Sequence, residues 1–344
     1  MIERRLVLKQ GAAAVASIGL AMPTWGRWAS AQSALVPTQG VYSAPGITYS
    51  GLYIADAEKL WAKNGLEAKV QRVQGGPLAM AALTNKDAQF CGIASSDPVI
   101  GWGKGIETLT VAAFTGRLAM QFTARNDWLA RQGVSPSSPL SEKLKAFKGA
   151  RLGASTIGGG PAQYARYLIR QGGVDPNTDV KILAVGFGPS RVAALRTNQV
   201  DITVGDAPEA DQVELDGFGH LFINCSQDVP IYSEFPYTIL SVSPEFADKR
   251  PDVVRRIAHT IGQANNYYHA NFGKVVDVMR GVYKSVDPRA IERALERDKS
   301  SFPPGGRMTE AMWVNMNKVA TDLKMITAPL PTREGTFWTN KFTV

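Results

Sequence analysis

A pattern that occurs twice constrains this chain more than any other feature. Residues 76–98 read GPLAMAALTNKDAQFCGIASSDP and residues 188–208 read GPSRVAALRTNQVDITVGDAP. In both, Gly-Pro is followed at the same offset by Ala-Ala-Leu, then by Thr-Asn, an Asp, an apolar run and an Asp-containing turn with Pro. Proline accepts the fixed backbone angle of a first helical position, and the glycine before it admits a close neighbour. Asp97-Pro98 and Asp206-Ala207-Pro208 would cap the next helix at the carboxyl end of a strand. The chain therefore uses one strand-and-helix unit in two lobes. Ligands of open α/β sheets sit at the carboxyl ends of strands, so two such edges facing one another would form a cleft.

The rest of the chain agrees with this frame. Short β-like runs alternate with helical ones from about residue 40 to 225: GVYS, LEAKVQRV, AQFCGIA, TLTVAAF, ARLGAS, DVKILAV and VDITVG. Such alternation implies mainly parallel sheets covered by helices. In SGLYIADAEKLWAKNG, Ile54, Ala57, Leu60 and Trp61 share one helical face and Gly65 supplies the stop. Beyond Pro251 the pattern changes to long helices, PDVVRRIAHTIGQANNYYHANF and TEAMWVNMNKVATDLKMI. A chain of 344 residues exceeds the size at which one core usually divides, so two lobes are expected.

The segment STIGGGP, Ser155 to Pro161, runs into the helical stretch AQYARYLIRQGG. It fails the phosphate-loop pattern, because Gly159 stands where lysine is needed, and it fails the dinucleotide pattern, because Gln163 replaces the last glycine. Two readings remain at this point: an anion cradle at a helix start, or a tight turn capped by Ser155 or Thr156.

The amino terminus, MIERRLVLKQ followed by GAAAVASIGLAMP and a small-residue ASA site, is read as an address. Arg4-Arg5 and the residues after them resemble a twin-arginine export signal, with cleavage expected after Ala31. The net charge of +8 comes without Lys/Arg runs, which argues against a nucleic-acid partner and fits weak attraction for small anions. Cys91 and Cys225 lie in apolar strand-like runs, where a buried free thiol is commoner than a disulfide. Two cysteines and three scattered histidines, His220, His259 and His269, do not assemble a metal site, and no cofactor is expected.

The ordered series APGITYSGLYIADAEKLWAKNGLEAKV, GGPLAMAAL, FCGIASSDP, GFGPSRVAALRTNQVD and GDAPEAD resembles the periplasmic substrate-binding proteins of ABC importers. The group it resembles is the nitrate, sulfonate, taurine and thiamine-pyrimidine, or NMT1/THI5-like, family. The resemblance implies a two-lobed, type II periplasmic-binding-protein-like α/β fold, each lobe a sheet flanked by helices, joined by two crossing strands. LAMQFTA (118–124) and YTILSV (237–242) have the extended pattern expected of the crossings. Expected boundaries are a signal peptide at 1–31, one lobe at 33–122 plus 237–344, and the other at 123–236.

The resemblance further implies ligand contacts from loops at strand ends. Ser43, Pro45, Gly75, Gly76, Ser95, Ser96 and Asp97 would serve the first lobe; Thr156, Gly158, Gly159, Gly160 and Asp206 would serve the second. Arg117 and Arg191 are candidates to pair with a carboxylate or sulfonate, against the plainer reading of surface arginines. Phe187 and Tyr232, with Trp102 and Phe235, could supply apolar burial or simply belong to the core. Asp97 and Asp206 would repel an anion, and so bear on the ligand only if it carries a positive group.

The implied activity is capture of a small anion such as a sulfonate, taurine, nitrate or aromatic carboxylate, by a periplasmic monomer that serves a permease and an ATPase. A thiamine-precursor pyrimidine ligand and a desulfinase-like enzyme are the alternatives. The enzyme lacks support in the residues: the first-strand turn Ser43-Ala44-Pro45 has no cysteine, and no activated nucleophile beside a base is visible.

Overall fold

The structure is a computed structural model that describes residues 34–344; the expected export signal lies outside the described residues. Ten strands follow in chain order: β1 Val36–Tyr42, β2 Leu66–Arg72, β3 Phe90–Ala94, β4 Leu109–Ala113, β5 Met120–Arg125, β6 Arg151–Ala154, β7 Lys181–Ala184, β8 Ile202–Asp206, β9 Gly219–Asn224 and β10 Thr238–Val242. They form two five-stranded sheets, ordered β2-β1-β3-β10-β4 and β7-β6-β8-β5-β9. In each sheet the central strand, β3 or β8, has a parallel neighbour on one side and an antiparallel one on the other. The repeated sequence units supply these central strands, with helices Gly76–Thr84 and Pro189–Arg196 before them and Ser96–Trp102 and Glu209–Leu215 after them.

The chain changes sheet twice, between β4 and β5 and between β9 and β10. The extended runs at 118–124 and 237–242 become β5 and β10, the antiparallel strands of the sheets they enter. The passages themselves are residues 114–119 and 225–237, and they bond to each other. Phe235 N–H donates to Gly116 O at 2.9 Å, Leu118 N–H to Tyr232 O at 2.9 Å, and Tyr237 N–H to Thr115 O at 3.2 Å. The Thr115 and Thr238 hydroxyls close the pair at 2.7 Å.

Each sheet buries apolar side chains beneath its helices. In the first, Trp61 stacks on Phe90 with centroids 5.6 Å apart; in the second, Phe122, Trp128, Phe147 and Phe222 meet edge to face or tilted. The expected single helix from Ser50 is broken. It runs as Ser50–Ala57 and Leu60–Lys63, because Lys59 takes a left-handed conformation at φ 55°. The break turns Trp61 onto Phe90 and lets its indole N–H reach Asp56 Oδ1 at 2.8 Å. Burial of that ring outweighs continuation of the helix.

The carboxyl-terminal helices reach both sheets. Helix Pro251–Ala270 packs on the first, against Ser50–Ala57. Helix Pro288–Asp298 meets the second through Arg297, which donates to both carboxylate oxygens of buried Asp211 at 2.6 and 2.7 Å. Helix Glu310–Asp322, capped by Thr309, packs on Gly160–Gln171. Both cysteines are free and buried. Among the described residues no helix is long and apolar enough to cross a membrane, and no cluster of His, Cys, Asp or Glu is placed to hold a metal ion.

Candidate functional site

A cavity of about 40 Å³ lies between the two sheets. Its wall comes from segments that follow strands of both lobes: Ser43 and Ala44 after β1, Gly75 and Gly76 after β2, Asp97 after β3, and then Ser155, Thr156, Gly159, Gly160 and Pro161 after β6. Phe187 and Arg191 follow β7, Asp206 ends β8, Tyr237 ends the second passage between sheets and Thr238 opens β10. Tyr49 and Ala94 complete it. The two repeated units thus face one shared hollow.

The glycines make this convergence possible. A Cβ on Gly160 would lie 2.8 Å from Ala94 Cβ and 2.9 Å from Ser96 Oγ, so the start of helix Gly160–Gln171 can touch the opposite lobe only without a side chain. No side chain caps that helix; Gly159 occupies the cap position, and neither Ser155 nor Thr156 does so. Its amino end, with unpaired N–H groups and the positive end of the dipole, lies in the cavity wall. Gly76 has a parallel role, because a Cβ there would sit 2.0 Å from the carboxylate of Asp97.

The charges are dominated by two acids. Asp206 is buried; its Oδ1 accepts from the Tyr237 hydroxyl at 2.6 Å. Burial pushes its carboxyl up to about 6, against the lowering effects of the Tyr237 bond and the Arg191 charge. Asp97 is only partly exposed and has no hydrogen-bonding partner among the described residues, and burial alone pushes it up to about 7.

Arg191 is not available to a ligand. Its guanidinium is buried, donating to Glu209 through Nε at 2.7 Å and Nη2 at 2.5 Å and to Val204 O through Nη1 at 3.0 Å. It passes beneath β8, where a Cβ on Gly205 would lie 2.2 Å from its central carbon. Its charge is matched by Glu209, and its ring-like plane stands 6.0 Å from the Phe187 ring.

Of the residues singled out in the sequence, Ser43, Gly75, Gly76, Asp97, Thr156, Gly159, Gly160, Phe187, Arg191 and Asp206 line the cavity. The others lie elsewhere. Pro45 lines an adjoining outer groove, and Arg117 lines a separate depression with Glu234 and Ser301. A Cβ on Gly158 would meet nothing within 4 Å. Ser95 and Ser96 are buried below the wall, where the Ser95 hydroxyl and the Ser96 N–H each lie 2.9 Å from the Tyr164 hydroxyl. Tyr232 is fully buried among Tyr164, Tyr167 and Phe235, its hydroxyl donating to Tyr164 O at 3.0 Å. Trp102 packs on Phe337. Tyr49, Ala94, Ser155, Pro161, Tyr237 and Thr238 were not anticipated. Ser155 and Pro161 flank predicted glycines, but Tyr49 sits in an ordinary helical pattern that gives no signal.

The family model described as the NMT1-like family matches residues 44–278. A putative binding protein, YtlA of Bacillus subtilis (strain 168), is 22% identical over 281 residues, covering 78% of this chain and 77% of its own. A solved structure from Bordetella bronchiseptica RB50 superposes with a TM-score of 0.75 at 20% identity, over 89% of this chain and 95% of that one. The alkanesulfonate-binding protein SsuA from Xanthomonas axonopodis pv. citri, bound to MOPS, gives a TM-score of 0.65 at 17% identity, over 86% of this chain and 96% of its own. These likenesses show the two-lobed fold, and the family match over well more than half of its length makes this chain a member of the NMT1-like family.

Proposed function

We propose that this chain is the solute-binding component of an ABC-type importer, exported to the periplasm, where it works as a monomer that delivers a small molecule to a permease and its ATPase. One observation carries the reading: loops after the strands of two sheets, together with a connecting passage, enclose a single cavity. A ligand placed there would touch both lobes and so favour the closed arrangement. The names of the Bacillus and Xanthomonas relatives point the same way.

Binding is favoured over catalysis by the composition of the wall. The lining residues include neither cysteine nor histidine, and the Ser43 hydroxyl is paired with Tyr49 at 2.9 Å rather than with a base. Cys91 is fully buried in β3, where burial pushes its thiol far above the ordinary range.

A sulfonate, nitrate, taurine or aromatic carboxylate would find the amino end of helix Gly160–Gln171 in the wall. Against it stand two carboxylates, with the one lining arginine already paired.

The test uses the protein freed of its leader, unfolded and refolded to strip bound solute, then mixed with a small-molecule extract of cells. A compound present at 100 times its Kd should add about 2.7 kcal/mol of stability, with a fall in the solution scattering radius as the lobes close. If fractionated extracts leave both melting temperature and radius unchanged, the solute-binding reading is lost.

A further inference from the structure

Resting on the solute-binding reading, we infer that the ligand has a cationic head rich in N–H donors, a protonated amine or amidinium, on an apolar body. The head sits by Asp97 and Asp206, and the body runs past Phe187 into the outer groove.

Size comes first. Cavities that hold whole metabolites usually span ~300–1,000 Å³, whereas one water needs only ~10–15 Å³ on the scale that gives about 40 Å³ here. The cavity admits a group of a few heavy atoms. Next to it lies a groove of about 560 Å³, lined by Pro45, Pro189, Val192, Ala207, Val282 and Val286 among others. The two spaces adjoin. Phe187 lines both, Ala44 and Asp206 line the cavity, and their neighbours Pro45 and Ala207 line the groove. Phe187 stands between Gly186 and Gly188, whose φ values of 79° and 52° belong to the region that favours glycine.

Charge comes second. Asp206 offers one oxygen without a hydrogen-bonding partner among the described residues, and Asp97 offers two. Among the described residues the one other charge lining the cavity, Arg191, is held by Glu209, and the Tyr237 and Tyr49 hydroxyls there are hydrogen-bonded. The groove adds Arg196, paired with Asp216, and the exposed Arg72 on its rim.

The repeat shows that this acidity is not a property of the module. Glu209 lies three residues beyond Asp206, the last residue of β8, and Asp97 lies three beyond Ala94, the last residue of β3. Glu209 is neutralised by Arg191, the third residue after Gly188; the third after Gly76 is Ala79. Asp97 is the same acid with its cation removed. A buried carboxylate without a partner is costly, and a ligand cation is the group that removes the cost.

The experiment compares ligands that share an aromatic body and differ in the head: benzamidine and phenethylamine, benzyl alcohol, benzoate and benzenesulfonate. They are read by thermal shift and calorimetry on the stripped protein. Benzamidine or phenethylamine should raise the melting temperature, while the neutral and anionic compounds should not. Asp97→Asn and Asp206→Asn should each weaken the amidine by about tenfold or more. Unliganded Asp97→Asn, which loses a partly buried charge, should melt no lower than the parent and so report an intact fold. Phe187→Ala should alter affinity for the ring compounds but not for methylammonium. Between about pH 6 and 8 benzamidine stays charged while Asp97 ionises, so its affinity should rise.

Binding of benzenesulfonate or benzoate with the cations silent overturns the charge assignment and leaves solute binding intact. Cation binding that survives both asparagine substitutions overturns it too. Silence of all five compounds overturns the ligand class, and only silence of the cell extract as well removes the solute-binding reading.

Discussion

The two repeated units share a fold and differ in electrostatics. Each gives its sheet a central strand and two helices, and each reaches the same hollow, the first through Gly76 and Asp97 and the second through Arg191 and Asp206. In the second unit Gly205 clears space for a guanidinium under β8, and Arg191 fills it to hold Glu209. In the first, Ile93 precedes the last residue of β3 as Gly205 precedes that of β8, Ala79 replaces the arginine, and Asp97 stands alone over Gly76. Backbone architecture is therefore transferable between lobes while charge is not. The acid that follows the central strand is neutralised in the second unit, and in the first it is left as an unmet carboxylate in the cavity wall.

The sharpest way to break the comparison is Gly205→Ala. The added Cβ would fall 2.2 to 2.6 Å from the guanidinium of Arg191 and expel it, leaving Glu209 without its cation. Breaking a buried pair in this way costs about 3–5 kcal/mol, and a chain of this size loses roughly 2–4 °C per kcal/mol, so calorimetric melting should fall by about 10 °C.

Asp97→Asn should act in the opposite direction. The Asp97 carboxyl titrates near 7 in the folded protein against an ordinary 3.8, so the folded state holds this proton more tightly than the unfolded one. Its contribution is fully present below about pH 4 and is lost as pH rises through 7. At neutral pH the asparagine variant should be more stable by about 1–3 kcal/mol, after discount for partial exposure, and denaturant titrations from pH 4 to 8 should show a flatter profile.

Gly160→Ala tests the contact between the lobes. Its methyl would press on Ala94 and Ser96, and such crowding costs about 1–2 kcal/mol in the closed arrangement. The expected readout is weaker ligand binding with a larger scattering radius, while an unchanged radius with bound ligand would show that the lobes meet elsewhere.

The smallest effect belongs to Asp127, held down to about 2 by Arg125 and then Arg131. This exposed acid gives stability that is present above pH 4 and lost as pH falls through 2, the reverse of Asp97. Asp127→Asn should change stability at neutral pH by no more than about 0.5 kcal/mol.

Much of the frame was legible in the chain. Glycine-proline starts, Ala-Ala-Leu faces and apolar runs of strand length are local signals, and local propensity survives into the fold when packing agrees with it. The long helix expected from Ser50 failed at Lys59, because a buried Trp61 on Phe90 outweighs the helical bonds of one residue. Ser95, Ser96 and Tyr232 lie behind the wall for a related reason: Tyr164 meets the Ser95 hydroxyl and the Ser96 N–H with its own hydroxyl, and its carbonyl accepts from the Tyr232 hydroxyl.

The sequence by itself determined the repeated module, the alternation of strands and helices and therefore two sheets with loops at their carboxyl edges, because those follow from spacing and from the backbone demands of glycine and proline. Only the tertiary structure decided which charges survive in the hollow. Arg191 and Glu209 are 18 residues apart in the chain, and their pairing depends on a gap beneath Gly205. Asp97 is left without such a partner by the side chains packed around it.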